Sequence, residues 1–226
     1  MISPSLSPAL LLLADGRFPA GAYAHSAGLE ASIRAGRVHD AVSLESFLHG
    51  RATTTGLIAG AFAAAACAAA TAADSSRLTA LEEELDARTP SPTLRKVSRT
   101  LGRQLLRAVN GIQPHPCLAY VPAVPHQPIA FGGAAAAFGL DPQAAALAVL
   151  YDAVTGPAAA AVKLISIDPF HVHAALAHLI PALEELATTA AGYADTAPHE
   201  LPATGAPLLD ISAEQYAGWQ GRLFAS

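Results

Sequence analysis

Apolar residues recur along the chain at three- and four-residue intervals. No run alternates Val, Ile or Thr with polar residues between turn dipeptides, so the pattern predicts helices and no strands. The periodic segments cover residues 5–14, 25–35, 43–55, 57–73, 75–87, 92–109, 128–139, 142–155, 157–166, 169–190 and 212–222. Punctuation supports several boundaries. In Asp141–Pro142 and Asp168–Pro169 the Asp side chain can accept a first-turn amide, and the Pro has the φ of a first helical residue and no donor to waste. Gly111 is placed to stop the helix that starts at Pro92, and Ser212 with Gln215 resembles a capping box opening a last short helix. The expected fold is therefore all-α, a single-domain bundle of about ten helices over residues 1–226. Two connections, 112–127 with four prolines and 192–209, are long enough to point to binding or to ordering on a partner.

Composition sharpens this picture. Hydrophobic residues make up 52% and charged residues 14%, with a mean hydropathy of +0.36, so surface beyond the core needs cover from the chain itself or from partners. An Ala-favouring codon bias accounts for the same numbers, and composition does not separate the two. Residues 52–73 carry no charge and are long enough to cross a bilayer. Their only strongly apolar side chains are Leu57, Ile58 and Phe62, which favours a closely packed internal helix. No Lys or Arg precedes Arg17, so the run Leu10–Leu13 reads as a buried first helix and not as a secretory leader. Cys67 and Cys117 form no disulfide framework, and a cytoplasmic protein is expected. A net charge of −5 argues against nucleic acid as a partner. That charge is uneven: six of the 13 basic residues lie between Arg88 and Arg107, whereas the chain after Lys163 is acidic.

Motifs for chemistry are few. Neither lysine, Lys96 or Lys163, follows a glycine, so a phosphate-binding GxxxxGK[ST] loop is absent, as are GxSxG and HExxH. His25 and Ser26 are adjacent and would point apart on a helix, which disfavours a nucleophile–base pair. His115 with Cys117, and His171 with His173, are the candidate metal ligands. Two ligands do not close a zinc site, and residues two apart on a helix diverge by about 200°. Arg95, Arg99, Arg103 and Arg107 form a slanted basic stripe at four-residue spacing. The stripe is either a solvated face balanced by Glu82, Glu83, Glu84 and Asp86, or a docking face for an acidic partner. Near the start, Pro19 and Gly21 set a turn that leads into Tyr23, His25 and Ser26 and then the apolar Leu29. Spacing alone leaves that block open between a binding surface and a plain loop-to-helix entry.

The block Phe18-Pro19-Ala20-Gly21-Ala22-Tyr23-Ala24-His25-Ser26-Ala27-Gly28-Leu29-Glu30 resembles the N-terminal motif of the UreF family of urease accessory proteins. Ser98-Arg99-Thr100-Leu101-Gly102-Arg103-Gln104-Leu105-Leu106 is similar to the family's S-R-x-x-G-R-x-L-L helix. Ala160-Ala161-Val162-Lys163-Leu164 is similar to its A-x-V-(K/R)-L segment, and Arg222-Leu223-Phe224-Ala225-Ser226 to its R-L-F-x-S tail. The four blocks span the chain from about Leu10 to Ser226. One departure stands out: Ile167-Asp168-Pro169-Phe170 replaces the P-x-G-Q stretch of many members, as in an actinobacterial-type branch. The resemblance implies a non-catalytic scaffold that pairs as a dimer, binds UreD (also called UreH), and recruits the GTPase UreG. The assembly then inserts nickel into apo-urease in a GTP-dependent way. It implies no cofactor of the chain's own, with nickel handled by the assembly and GTP bound by the partner. It also implies no membrane or nucleic-acid partner. The partner-binding residues it implies are Phe18, Pro19, Gly21, Tyr23, His25, Ser26, Gly28, Leu29, Glu30, Arg99, Arg103, Lys163, Arg222, Leu223 and Phe224. Among them Lys163 is expected to face the GTPase, and the tail of about residues 210–226 is expected to dock UreD. The competing classes are a helical metal-dependent enzyme using the His and Cys ligands, and a generic helical scaffold.

Overall fold

A computed structural model describes residues 7–20, 25–219 and 223–224. It is helical with no strand among those residues, in the order α1 (Pro8–Leu13), α2 (Leu29–Arg34), α3 (Ala41–Arg51), α4 (Leu57–Thr71), α5 (Ser75–Ala87), α6 (Pro92–Ile112), α7 (Gln127–Ala137), α8 (Pro142–Leu164), α9 (Pro169–Ala191) and α10 (Pro207–Ala217). Short 3₁₀ turns occupy Pro116–Tyr120 and Pro198–Glu200 within the two long connections. Asp141 and Asp168 cap their helices as expected, accepting from the amides of Ala144 and Phe170.

Helix α4 is the axis. It packs against α5, α7, α8 and α9, and eleven of its fifteen residues are buried. A helix surrounded on all sides must be apolar all round, and close neighbours demand small side chains. Both needs are met by the run Ala63–Ala66. At the crossing with α7, a Cβ built on Gly132 would stand 2.5 Å from the Ala63 carbonyl oxygen and 2.6 Å from the Ala66 Cβ. The run Ala41–Thr71 and helix α8 are both long and apolar enough to cross a bilayer. More than half of each apolar window is buried against other helices, however, which makes them core helices.

The structure corrects four expected boundaries. Residues 43–55 and 57–73 form one unbroken run, because a π-helical turn over Ala52–Gly56 joins α3 to α4. Gly111 does not stop α6, which runs on to Ile112. Ser212 is not a cap: α10 begins at Pro207, and Ser212 lies buried within it, accepting from the Arg37 guanidinium at 3.3 Å. The predicted break between 142–155 and 157–166 is absent, since α8 continues through Pro157. Proline there removes the amide that would bond the Ala153 carbonyl. Arg51 Nε supplies the replacement donor, at 2.8 Å.

The 192–206 connection is held by two arginines of the α5 segment. Arg77 donates to the carbonyls of Ala194 and Thr196 at 2.8 and 2.7 Å. Arg88, just past the helix end, donates to those of His199 and Leu201 at 3.0 and 3.2 Å. Neither anchor is visible in spacing, because each reaches more than a hundred residues along the chain.

Replacing Gly132 by Ala gains roughly 1 kcal/mol of helix propensity, but overpacking against an immovable backbone oxygen costs about 1–3 kcal/mol. The clash should prevail, and Gly132→Ala should lower the thermal midpoint. Gly50→Ala, where nothing lies within 4 Å of the added Cβ, should raise it. A melting series in which Gly132→Ala is neutral or stabilising would refute the close-approach account.

Candidate docking site

The N-terminal block is built inward as much as outward. Phe18 and Ala20 are buried, Pro19 is exposed, and Gly21 and Tyr23 lie outside the described residues. Ser26 is fully buried, and its hydroxyl oxygen accepts the Glu30 amide at 3.4 Å. Ala27 (φ 52°) and Gly28 (φ 86°) then take two left-handed steps in succession and start α2. A Cβ on Gly28 would meet the Leu209 side chain of α10 at 2.9 Å, so the glycine serves both the turn and the contact. Leu29 and Glu30 are buried. These residues therefore shape the site, while half-buried His25 opens onto it; burial pushes the His25 imidazole below its ordinary pKa.

What the block shapes is the seat of the C-terminal segment. The Glu30 carboxylate accepts the backbone amides of Leu223 and Phe224, each at 3.2 Å, and lies 3.6 Å from Arg34. The Arg34 guanidinium sits over the Trp219 ring at 5.2 Å, and Trp219 packs obliquely on Tyr216. In the last turn of α10, Glu214 accepts from the Ser91 hydroxyl and from the Thr93 amide at 3.0 Å, at the positive N-terminus of α6. Phe224 is half-buried against the core, and Leu223 is 73% exposed. Arg222 lies outside the described residues.

Beneath α10 lies a cavity of about 260 Å³, walled by Ile58, Leu94, Val97, Leu101 and Val149, with Arg51, Gln127 and Asp152 among its polar lining. Arg51 also donates from Nη1 to the Ala27 carbonyl at 3.1 Å, tying the left-handed turn to α8. Burial lowers the Arg51 pKa to about 10, partly offset by Asp152. Burial raises Asp152 to about 6, against the pull of Arg51 and the Gln127 amide, which bonds it at 3.1 Å.

The S-R-x-x-G-R helix, α6, divides its residues between two tasks. Ser98 accepts the Gln127 amide at 3.0 Å and bonds His126 Nδ1 at 3.0 Å; His126 Nε2 meets Asp86 at 3.1 Å. The His126 amide donates to the Glu82 carboxylate at 2.9 Å. Gly102 lets this strap approach, since a Cβ there would lie 2.1 Å from the Pro125 oxygen. Arg99 pairs with Asp86 at 2.9 Å and Glu82 at 3.5 Å, so it belongs to the α5–α6 seam. Lys96, Arg103 and Arg107 are exposed and, among the described residues, form no ion pair; they are the outward part of the stripe. Sequence reasoning missed His126, whose only local signal was its place just before the Gln127–Pro128 helix start. The Ser98–His126–Asp86 line has the order of a hydrolase triad. Here it fastens helices, because His126 has no exposed surface.

Lys163 is exposed near the end of α8, and Phe170, in the segment that replaces P-x-G-Q, is 84% exposed at the start of α9. The candidate metal ligands do not gather. His115 accepts the Cys117 amide at 3.2 Å as a cap, and Cys117 is buried. His173 Nδ1 bonds the Pro169 carbonyl at 2.8 Å, and His171 is exposed. Among the described residues no three His, Cys, Asp or Glu side chains are grouped to hold a metal ion.

The family model for UreF matches residues 38–180. A urease accessory protein UreF of Mycobacterium marinum is 41% identical over 217 residues, covering 96% of this chain and 97% of the relative. The corresponding proteins of Mycolicibacterium vanbaalenii and Mycobacterium tuberculosis are 38% and 37% identical, with the same coverage.

The buried strap makes the fold acid-sensitive in a defined direction. Burial lowers the His126 pKa, with Asp86 opposing in part. Below about pH 6.5 the unfolded chain therefore takes up a proton that the folded chain resists, and stability falls as the pH falls. Asp152, raised to about 6, acts oppositely and loses stability as the pH rises from 4 to 6. His126→Asn should flatten the loss of stability between pH 7 and 5.5 in denaturant titrations relative to the parent. An unchanged slope would assign the acid sensitivity elsewhere.

Proposed function

We propose, on the premise that this chain belongs to the UreF family of urease accessory proteins, that it is the scaffold on which a nickel-inserting complex assembles. Its role in urease maturation, as an accessory protein and not a catalyst, follows from that membership. In this reading it binds UreD through α10 and the tail, pairs with a second copy, and recruits the GTPase UreG in the cytoplasm. Nucleotide turnover belongs to UreG, because this sequence has no phosphate-binding loop. Nickel is cargo of the assembly.

The observation that carries the reading is the outward face of the C-terminal segment. Leu208, Ile211, Trp219 and Leu223 are all exposed there, while Ser212 and Tyr216 face inward. Large apolar side chains left uncovered on one short element mark a protein-binding surface. For the GTPase, exposed Lys163, exposed Phe170 on the following helix and the outward Arg103 are the proposed contacts, a cation and an aromatic anchor being common at interfaces. A metal-dependent enzyme is disfavoured by the dispersal of the His and Cys residues.

The tail test needs care at its boundary. Tyr216 is buried, so a deletion from residue 216 would damage α10; removal of residues 220–226 spares it. That shorter deletion should abolish co-purification with UreD while the helical circular dichroism stays unchanged. Lys163→Ala and Arg103→Glu should keep UreD binding and reduce UreG recruitment and urease activation several-fold. Normal activation with both variants would remove these residues from the GTPase face, and retention of UreD by the shortened chain would remove the tail.

A further inference from the structure

We infer that Glu30 is a positioning residue for the C-terminal tail: its buried carboxylate fixes Leu223 and Phe224 on α2 and presents the tail from that point. The inference rests on the tail being the UreD-docking surface, and it joins the two ends of the chain that carry the first and last motif blocks.

Glu30 is 2% exposed. A carboxylate taken out of water needs donors on both oxygens. It has them in an unusual form. Oε1 accepts the Leu223 amide and Oε2 the Phe224 amide, both at 3.2 Å, with the Arg34 guanidinium 3.6 Å from Oε1. Hydrogen bonds to an ionised acceptor are about twice as strong as neutral ones. Because the donors are backbone groups, the anchor holds the path of the chain and leaves its side chains to other tasks. Phe224 turns toward the core and Leu223 remains exposed. Arg34, one turn on from Glu30 on the same helix face, stacks on Trp219 and holds the residue at the end of α10 on that face as well. Release of the tail would leave the carboxylate without two of its donors. A tail held this way loses less conformational freedom on binding than a free one, which favours affinity by pre-organisation.

The test uses the full-length chain. Glu30→Gln keeps the size of the side chain, but it discards the charge and opposes an NH₂ to one of the two tail amides. Amide hydrogen exchange at Leu223 and Phe224 should accelerate by about tenfold or more, the loss expected for charge-assisted bonds, with exchange in α4 and α8 unchanged. Leu223→Pro, which deletes one tail donor and leaves Glu30 intact, should accelerate Phe224 in the same way. It keeps the test decisive if the Glu30 variant folds poorly. Unchanged tail exchange in both variants overturns the inference. UreD capture is the separate arm: Glu30→Gln should weaken it in the full chain and have no further effect once residues 220–226 are removed. Accelerated exchange with undiminished capture would confirm the anchor on the chain and overturn its role in presentation, whereas capture retained after removal of residues 220–226 would instead overturn the tail-docking reading.

Discussion

Everything in this fold depends on how closely α7 can approach α4. With a methyl group too many at Gly132, the Ala63 carbonyl and Ala66 would push the helices apart. A bundle whose axis is made of alanines has little side-chain volume with which to fill the gap, because interiors are close-packed and tolerate few voids. The alanine content therefore has a structural role at the centre, whatever also shapes it elsewhere. Close spacing also explains why long apolar helices such as α8 lie against neighbours with their small residues buried.

Helix content and most helix positions were legible because the period of the apolar residues and the Asp–Pro starts are local signals. Two of the errors share one physical cause. The expected helix start at Pro157 and the expected cap at Ser212 rest on local signals, but each residue is governed by an arginine distant in sequence. Arg51 replaces the hydrogen bond that Pro157 cannot make, and Arg37 bonds Ser212 inside α10. The π-turn gave no signal of its own either, since the Thr-Thr-Thr-Gly run in Ala52–Gly56 weakens helix propensity in the same way as a break between two helices. At the site, the motif residues were recognisable as a group, but their direction was not. Ser26, Leu29 and Glu30 belong to the interior, and only contacts across nearly two hundred residues reveal that Glu30 meets the tail.

The basic stripe shows the same division on a smaller scale. Arg99 faces Asp86 and Glu82 and so belongs to the balanced seam, whereas Arg103 and Arg107 extend outward. The balanced-seam reading holds for Arg99, while the exposed Arg103 and Arg107 are left to the docking proposal. The charges are thus divided: one set is neutralised and holds helices in register, and another stays exposed. The His126 strap performs the inner task for α5, α6 and α7 together, and it lies directly behind the cavity wall formed by α6.

The π-turn at Ala52–Gly56 has a consequence for phase. A single residue contributes about 100° of rotation to an α-helix, so the extra residue in this turn resets which side of the rod faces the interior. With one residue fewer, the 41–71 rod would be α-helical throughout, and the guanidinium of Arg51 would be carried around the axis, away from both carbonyls it now bridges. The irregular turn thus acts as a gear tooth, letting an alanine-lined rod and an arginine-bearing rod be continuous while each keeps its own azimuth.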